Sequence, residues 1–491
     1  ELRDLWRMLL QNHPHDSICG CSIDAVHDLD MPPRFAYVRE RGAALASRLL
    51  AELAGRGTTP MLWNPLPWAR DAVVAIDGRP TRIHATGLGL SPVAAATGGS
   101  SGVRADGDSA IENGLLRVEV ETDGSFFVVN MATRERGARQ NRLISEGDRG
   151  DEYTHSYAGP TVGSEGLSGT RATSVTGDRA TATVDLVLRL PARLRDDRLA
   201  RSPELVECPV HVEISLDAGQ RRVDVTLQVD NRASDHRIRV LCETSTRALT
   251  HQCGAAFALL ERSNRLEVRR RWIEPPTSEA CVHDFVAVKG ATKGLAVGVD
   301  GLREYSVLHD GGTIAVTLLR AVGFLSRGDL PERRGNAGPE LATPSAQCIG
   351  SRAYRYVVIP LDEGTAITSA ARSVREWLSP PLVVLGDGRA RSFVSFIDEG
   401  TPLVLSALRA GPDGALVVRV ANPQREAISG TLRFDRAIRA SRAVDLREGD
   451  LRLGNTGLDV IRTAAPLDVD GELARATLQP YEIGTWVVQL A

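Results

Sequence analysis

Hydrophobic positions follow two periods along this chain. Leu2, Leu5, Trp6, Leu9 and Leu10 recur at the i, i+3, i+4, i+7, i+8 spacing of one helix face, and Asn12-His13-Pro14 stops the run because proline disfavours continuation. A second set, Phe35, Val38, Leu45, Leu49 and Leu53, predicts a helix from Pro33 to Ala54, with Pro32-Pro33 suited to its first turn and Gly55 to its exit. Two amphipathic helices thus flank a loop from His13 to Asp30. A pair cannot bury both stripes alone, so they should pack on each other and on a further body.

From Leu62 onward the period changes to two. Ala182-Val184-Leu186-Leu188, Val210-Val212-Ile214 and Val223-Val225-Leu227-Val229 alternate, with turn residues such as Glu121-Thr122-Asp123-Gly124 between the strands. Helical spacing returns only from Ala370 to Leu378, which predicts large antiparallel sandwiches and excludes alternating βα units. Ala94 to Gly107 reads as a flexible linker, and Ser379-Pro380-Pro381 marks another boundary. The fold class is mainly β: a helical-bundle segment over 1–55, a small β domain and linker over 56–106, a large β-sandwich over 107–379 and a C-terminal sandwich over 380–491.

Composition narrows the function. The 491 residues carry 59 Lys+Arg against 62 Asp+Glu, a formal charge of -3, which excludes an electrostatic polyanion binder such as a nucleic-acid protein. No run of about 18 apolar residues exists to cross a bilayer, so no membrane-spanning segment is expected. Seven scattered cysteines argue against a disulfide framework and predict a reducing, cytoplasmic setting. The chain opens on Glu1 with its first methionine at Met8, inside the first helix, which predicts that further chain precedes it.

The densest metal-capable cluster is the inter-helix loop, from Asn12-His13-Pro14-His15-Asp16 through Cys19-Gly20-Cys21 to Asp24 and His27. Imidazole, carboxylate and thiolate together suit zinc. The pairs are His-x-His and Cys-x-Cys, however, where self-contained structural sites use Cys-x2-4-Cys and His-x3-5-His. A capped loop with satisfied polar groups explains the same residues.

The sequence LLQNHPHDSICGCSIDAVH resembles the bacterial branch of glycoside hydrolase family 38, the α-mannosidases. The resemblance continues through LWNPLPWARDAVV, EGDRGDEYTHSY, the segment from Gly301 to Leu330, and TPSAQCIGSRAYRY, in order along the chain. It implies a zinc-dependent retaining α-mannosidase in which an upstream α/β barrel supplies the nucleophile, so that no catalytic carboxylate is expected among these residues. It also implies that the large sandwich is of the galactose-mutarotase type. His15, directly before Asp16, would be one of four zinc ligands, the other three lying upstream. Asp16 would contact the bound mannose, and His13 matches a neighbouring position. Zinc would hold the vicinal sugar hydroxyls as Lewis acid and template. Tyr153 and Arg320 are the nearest matches to a tyrosine and an arginine of the β region that approach the substrate.

Structural readings stand beside these. Asp148, Asp151 and Glu152 could form a self-satisfied turn, Arg320 or Arg327 a buried ion pair, and GDRGDEY lacks the ligand pattern of a calcium loop. Met31-Pro32-Pro33 departs from the family and predicts a broken or redirected entry to the second helix. The partners implied are an α-mannoside, the upstream barrel and, as is common in the family, a second copy of the chain. The competing function is a non-catalytic carbohydrate-binding or scaffolding β protein.

Overall fold

The computed structural model describes residues 1–93, 102–267, 271–272, 274–446 and 464–491. Helix α1 (Leu2–Leu10) lies against α3 (Met31–Ala54), and between them the chain makes one short helix, α2 (His15–Ile18), and a wide π-helical turn over Val26–Asp30. The buried Asn12 ties the pair together, donating from Nδ2 to the Met31 carbonyl at 3.0 Å and accepting from Arg34 on the next turn. Pro32 and Pro33 do not break the entry to α3. They fall in its first turn, where a missing N–H costs no intrahelical bond, so the predicted break is corrected. Gly55, at φ 75°, ends the helix. Leu5 is buried, whereas Leu2, Trp6 and Leu10 stay exposed.

The rest is mainly β, with every paired strand antiparallel. The alternating segments form long hairpins: Arg179–Pro191 pairs with Leu205–Asp217, which pairs with Val223–Asn231. These belong to a nine-stranded sheet whose inner face packs on a six-stranded and a five-stranded sheet. Val184, Val212, Val225 and Val358 meet Phe126, Val240 and Val316 in that core, which positions the strand ends and loops of the six-stranded sheet. Helix α4 (Ile367–Leu378) covers the outer face, burying Val374 and Trp377 against Phe285, Ala296 and Val357. Strands Phe285–Lys289 and Lys293–Asp300 are therefore apolar on both faces and read as nearly continuous runs.

Strand Thr59–Asn64 lies between Gly89–Pro92 and Leu382–Gly386, so one small sheet joins segments from either side of residue 380. Two four-stranded sheets around the buried Trp486 complete the C-terminal part. Of the stretch read as a linker, residues 94–101 lie outside the described residues and Arg104–Asp106 is a strand. Among the described residues no helix is long and apolar enough to cross a membrane.

Candidate functional site

Pro14 ends the α1 region and starts α2, so that His15 and Asp16 stand on its first turn. The His15 side chain is 94% exposed and Asp16 72%, with Nε2 to Oδ1 at 3.4 Å. His13 is exposed as well. The loop itself is clamped. Cys19 Sγ donates to the His15 carbonyl and Ser22 Oγ to the Asp16 carbonyl, closing the turn on itself. Farther along, Ser345 donates from its backbone N–H to Asp24 at 3.0 Å and from Oγ to Asp28 at 2.7 Å. Cys21 Sγ reaches the Glu152 carbonyl at 3.7 Å. A segment distant in sequence is thus fixed across the edge of the six-stranded sheet.

The opposite wall is the 148–157 loop. Arg320, on strand Thr313–Ala321, donates from Nε to the fully buried Asp148 at 2.7 Å and from Nη2 to the Asp151 and Thr154 carbonyls at 2.6 and 2.8 Å. Asp151 accepts from the N–H groups of Tyr153, Thr154 and Arg327 and from the Arg333 guanidinium. Burial alone would raise the Asp148 carboxyl, but the Arg320 guanidinium beside it and the Ser156 N–H hold it below the usual range. These bonds make the self-satisfied turn and the buried ion pair that the sequence allowed. They leave the Arg320 fork largely occupied.

Tyr153 is carried outward by this loop and is 42% exposed, its ring resting over Gly338, where a Cβ would come within 3.1 Å of the hydroxyl. Partial burial, with Cys21 and Asp16 nearby, raises its phenol pKa. The fold thus brings Tyr153 and Asp16 onto one side of the molecule, while Arg320 lies behind the loop that presents Tyr153.

Between the two walls runs a cleft of about 490 Å³, lined by Asp24, His27, Glu152, Glu304, Arg320 and Arg352 among others. Glu152 and His27 were not singled out as contacts by sequence reasoning. His27 Nε2 is buried without a hydrogen-bond partner, and the Glu152 carboxyl lies against the buried hydroxyl of Thr343, which hydrogen-bonds it. Burial, reinforced by the Asp24 carboxylate, pushes the Glu152 carboxyl up to about 7. No local pattern marks Glu152, because its burial depends on the loop 20–28 crossing it.

Among the described residues no three His, Cys, Asp or Glu side chains converge to hold a metal ion. One imidazole and one carboxylate are a partial donor set, so these residues alone do not make a zinc site.

The family model for the glycosyl hydrolases family 38 C-terminal domain matches residues 111–324. A protein of Halalkalibacterium halodurans named "Putative mannosylglycerate hydrolase" is 24% identical over 93% of this chain and 61% of its own length. Alpha-mannosidase 2C1 of Mus musculus is 27% identical over 31% of this chain and 16% of its own length. In structure, an α-mannosidase from Enterococcus faecalis V583 superposes with a TM-score of 0.81 at 22% identity, covering 99% of this chain and 63% of the other. The chain therefore spans about three-fifths of the length of the Halalkalibacterium protein and of the Enterococcus structure. Residues 111–324 thus match the C-terminal domain of the glycosyl hydrolases family 38, and the fold is shared along 99% of the chain with the Enterococcus structure.

Proposed function

We propose that these residues are the helical and β portion of a zinc-dependent, retaining α-mannosidase that removes terminal α-D-mannosyl residues. The observation that carries this reading is His15: an imidazole with only Asp16 beside it, projecting from a loop clamped to the sandwich next to Tyr153. A structural histidine would be buried and paired, so its exposure supports a donor completed by other parts of the protein, and disfavours the purely scaffolding alternative. Asp16 and Tyr153 contact sugar hydroxyls. Arg320 is a positioning residue that sets the Tyr153 loop.

Zinc, when bound, supplies Lewis-acid polarisation and orientation of sugar hydroxyls. The retaining reaction needs two carboxyl groups about 5 Å apart, and neither is assigned to this chain. A barrel elsewhere in the protein provides them, and the chain alone is inactive. The two-layer antiparallel packing suits a sandwich of the galactose-mutarotase type, and the unpaired cysteines suit a reducing cytoplasm.

The test is hydrolysis of an aryl α-mannoside by this chain and by a version extended to include the barrel, each with and without zinc. Activity confined to the extended protein, needing zinc and abolished by His15→Ala, is the expected result. Activity of the 491-residue chain alone would overturn the division of roles.

A further inference from the structure

A separate cleft, of about 170 Å³, lies on the outer face of the nine-stranded sheet, bordered by the end of α4, Pro380-Pro381 and strand Arg70–Ile76. Strand register sets its floor. Glu213, Thr226 and Arg355 are successive partners across three strands, and Ser215 with Asp224 forms the next row. The intervening Val212, Ile214, Val225 and Leu227 belong to the core, so these polar side chains stand on the opposite face, away from the six-stranded sheet beside which His15 and Tyr153 lie.

Ion pairs fix this floor in advance. Arg179 grips Asp217 through Nε and Nη2 at 2.6 and 2.9 Å, Arg222 donates to Asp224 Oδ1 and Gln220 Oε1 at 2.9 and 2.8 Å, and Arg355 pairs with Asp300 at 3.1 Å while lying over the Trp377 ring. One wall is equally rigid, because the buried Arg70 donates to the Glu376 and Ser379 carbonyls and so locks the end of α4 to its strand. Partly buried ion pairs add little to stability, since desolvation offsets their attraction, so their concentration here suits a preorganised surface. Glu213 and Thr226, by contrast, make no side-chain hydrogen bond among the described residues, and Asp224 engages only Oδ1.

We propose that this cleft binds one neutral, polyhydroxylated ring, a single hexose unit. The site is independent of the zinc chemistry proposed above. Its volume fits, since about 150 Å³ is enough to enclose one six-membered ring. Its lining selects the class. Arg70, Arg222 and Arg355 stand around the same space as Glu213, Asp217 and Asp224, so an ion of either sign meets like charges. A sugar hydroxyl both donates and accepts, and can therefore serve the Glu213 and Asp224 carboxylates, the Thr226 hydroxyl and the Arg355 guanidinium in turn. Burial raises the Asp224 carboxyl, with Asp217 adding to the effect, and a hydroxyl donating to it stabilises the charged form.

The experiment is calorimetric titration of methyl α-mannopyranoside, methyl α-glucopyranoside, glucuronate and glucosamine into the 491-residue chain and into its Asp16→Ala variant, which removes a contact of the candidate site. A Kd of about 1 mM for a neutral glycoside, the scale a ligand of this size reaches, is expected in both proteins. Glu213→Ala and Thr226→Val should each weaken it about tenfold, the size of one lost hydrogen bond, while Glu213→Gln, which keeps an acceptor, should retain most of it. Glu213 is exposed and valine keeps the branched shape of threonine, so unchanged thermal midpoints are expected and separate lost binding from misfolding.

Binding untouched by both Glu213→Ala and Thr226→Val, whether or not Asp16→Ala abolishes it, places the sugar elsewhere and overturns the site. A tenfold preference for glucuronate or glucosamine would show that the cleft selects an ion, and overturns the class. Absence of binding by either glycoside well above the expected Kd overturns both.

Discussion

Arg320 Nε lies 2.7 Å from Oδ2 of the fully buried Asp148, and the same guanidinium grips the carbonyls of Asp151 and Thr154. One side chain therefore holds both ends of the loop that presents Tyr153. Removing it as Arg320→Ala leaves a buried carboxylate without its charge partner, which costs about 3–5 kcal/mol. Arg320→Lys should recover little, since an ammonium cannot form the planar fork. Urea denaturation checks both; an alanine variant as stable as the parent would show that the ion pair does not hold the loop. Because the Asp148 carboxyl is held below its ordinary 3.8, its contribution is present above that pH and lost as pH falls through the folded value.

His15 predicts the opposite pattern. Its ring is almost fully exposed, with Asp16 Oδ1 3.4 Å from Nε2. His15→Ala should therefore move stability by no more than about 0.5 kcal/mol, the range of an ordinary surface substitution, while abolishing zinc-dependent hydrolysis by the extended protein. A large loss of stability in the variant chain, read by thermal unfolding, would mean that His15 holds the loop together.

The elements that sequence made legible are those whose side chains repeat on one face. Val184, Val212 and Val225 announce strands, and Phe35 to Leu53 a helix, because burial on a single side imposes the period. The pairing of Met61 with Val384 was not legible, since strands separated by most of the chain carry no local signal of each other. Nor was the short helix at His15, whose four residues are below any period. At the candidate site, the motif pointed to His15 and Asp16, whereas the burial of Glu152 and His27 follows only from the loop that Ser345 pins beside them.

Glu152 gives a pH dependence of its own. Its carboxyl rises from 4.5 to about 7 in the fold, so the folded chain keeps a proton that the unfolded chain has released. Stability is then fully present below about 4.5 and declines as pH rises toward about 7. The groups facing it are Asp24 from the docked loop, Asp151 from its own loop and Arg320 from the strand behind. Glu152→Gln should flatten this slope between those pH values in urea midpoints, and parallel profiles for the two proteins would rule out Glu152 as its source.

The contact of α4 with the nine-stranded sheet depends on a missing side chain. A Cβ at Gly298 would stand 2.5 Å from Cγ2 of Val374 and 2.8 Å from Cγ2 of Val357, closer than packed atoms approach. Val374 is fully buried in the middle of α4, so neither partner can swing into solvent. Gly298→Ala should therefore destabilise the chain by about 1–3 kcal/mol through overpacking. Val374→Ala creates a cavity at the same point and should also cost stability. The two defects are complementary in volume, so the double variant should lose less than the sum of the single losses, with a coupling of about 0.5 kcal/mol or more. Strict additivity in urea denaturation would show that the helix shifts away from the sheet instead of clashing with it.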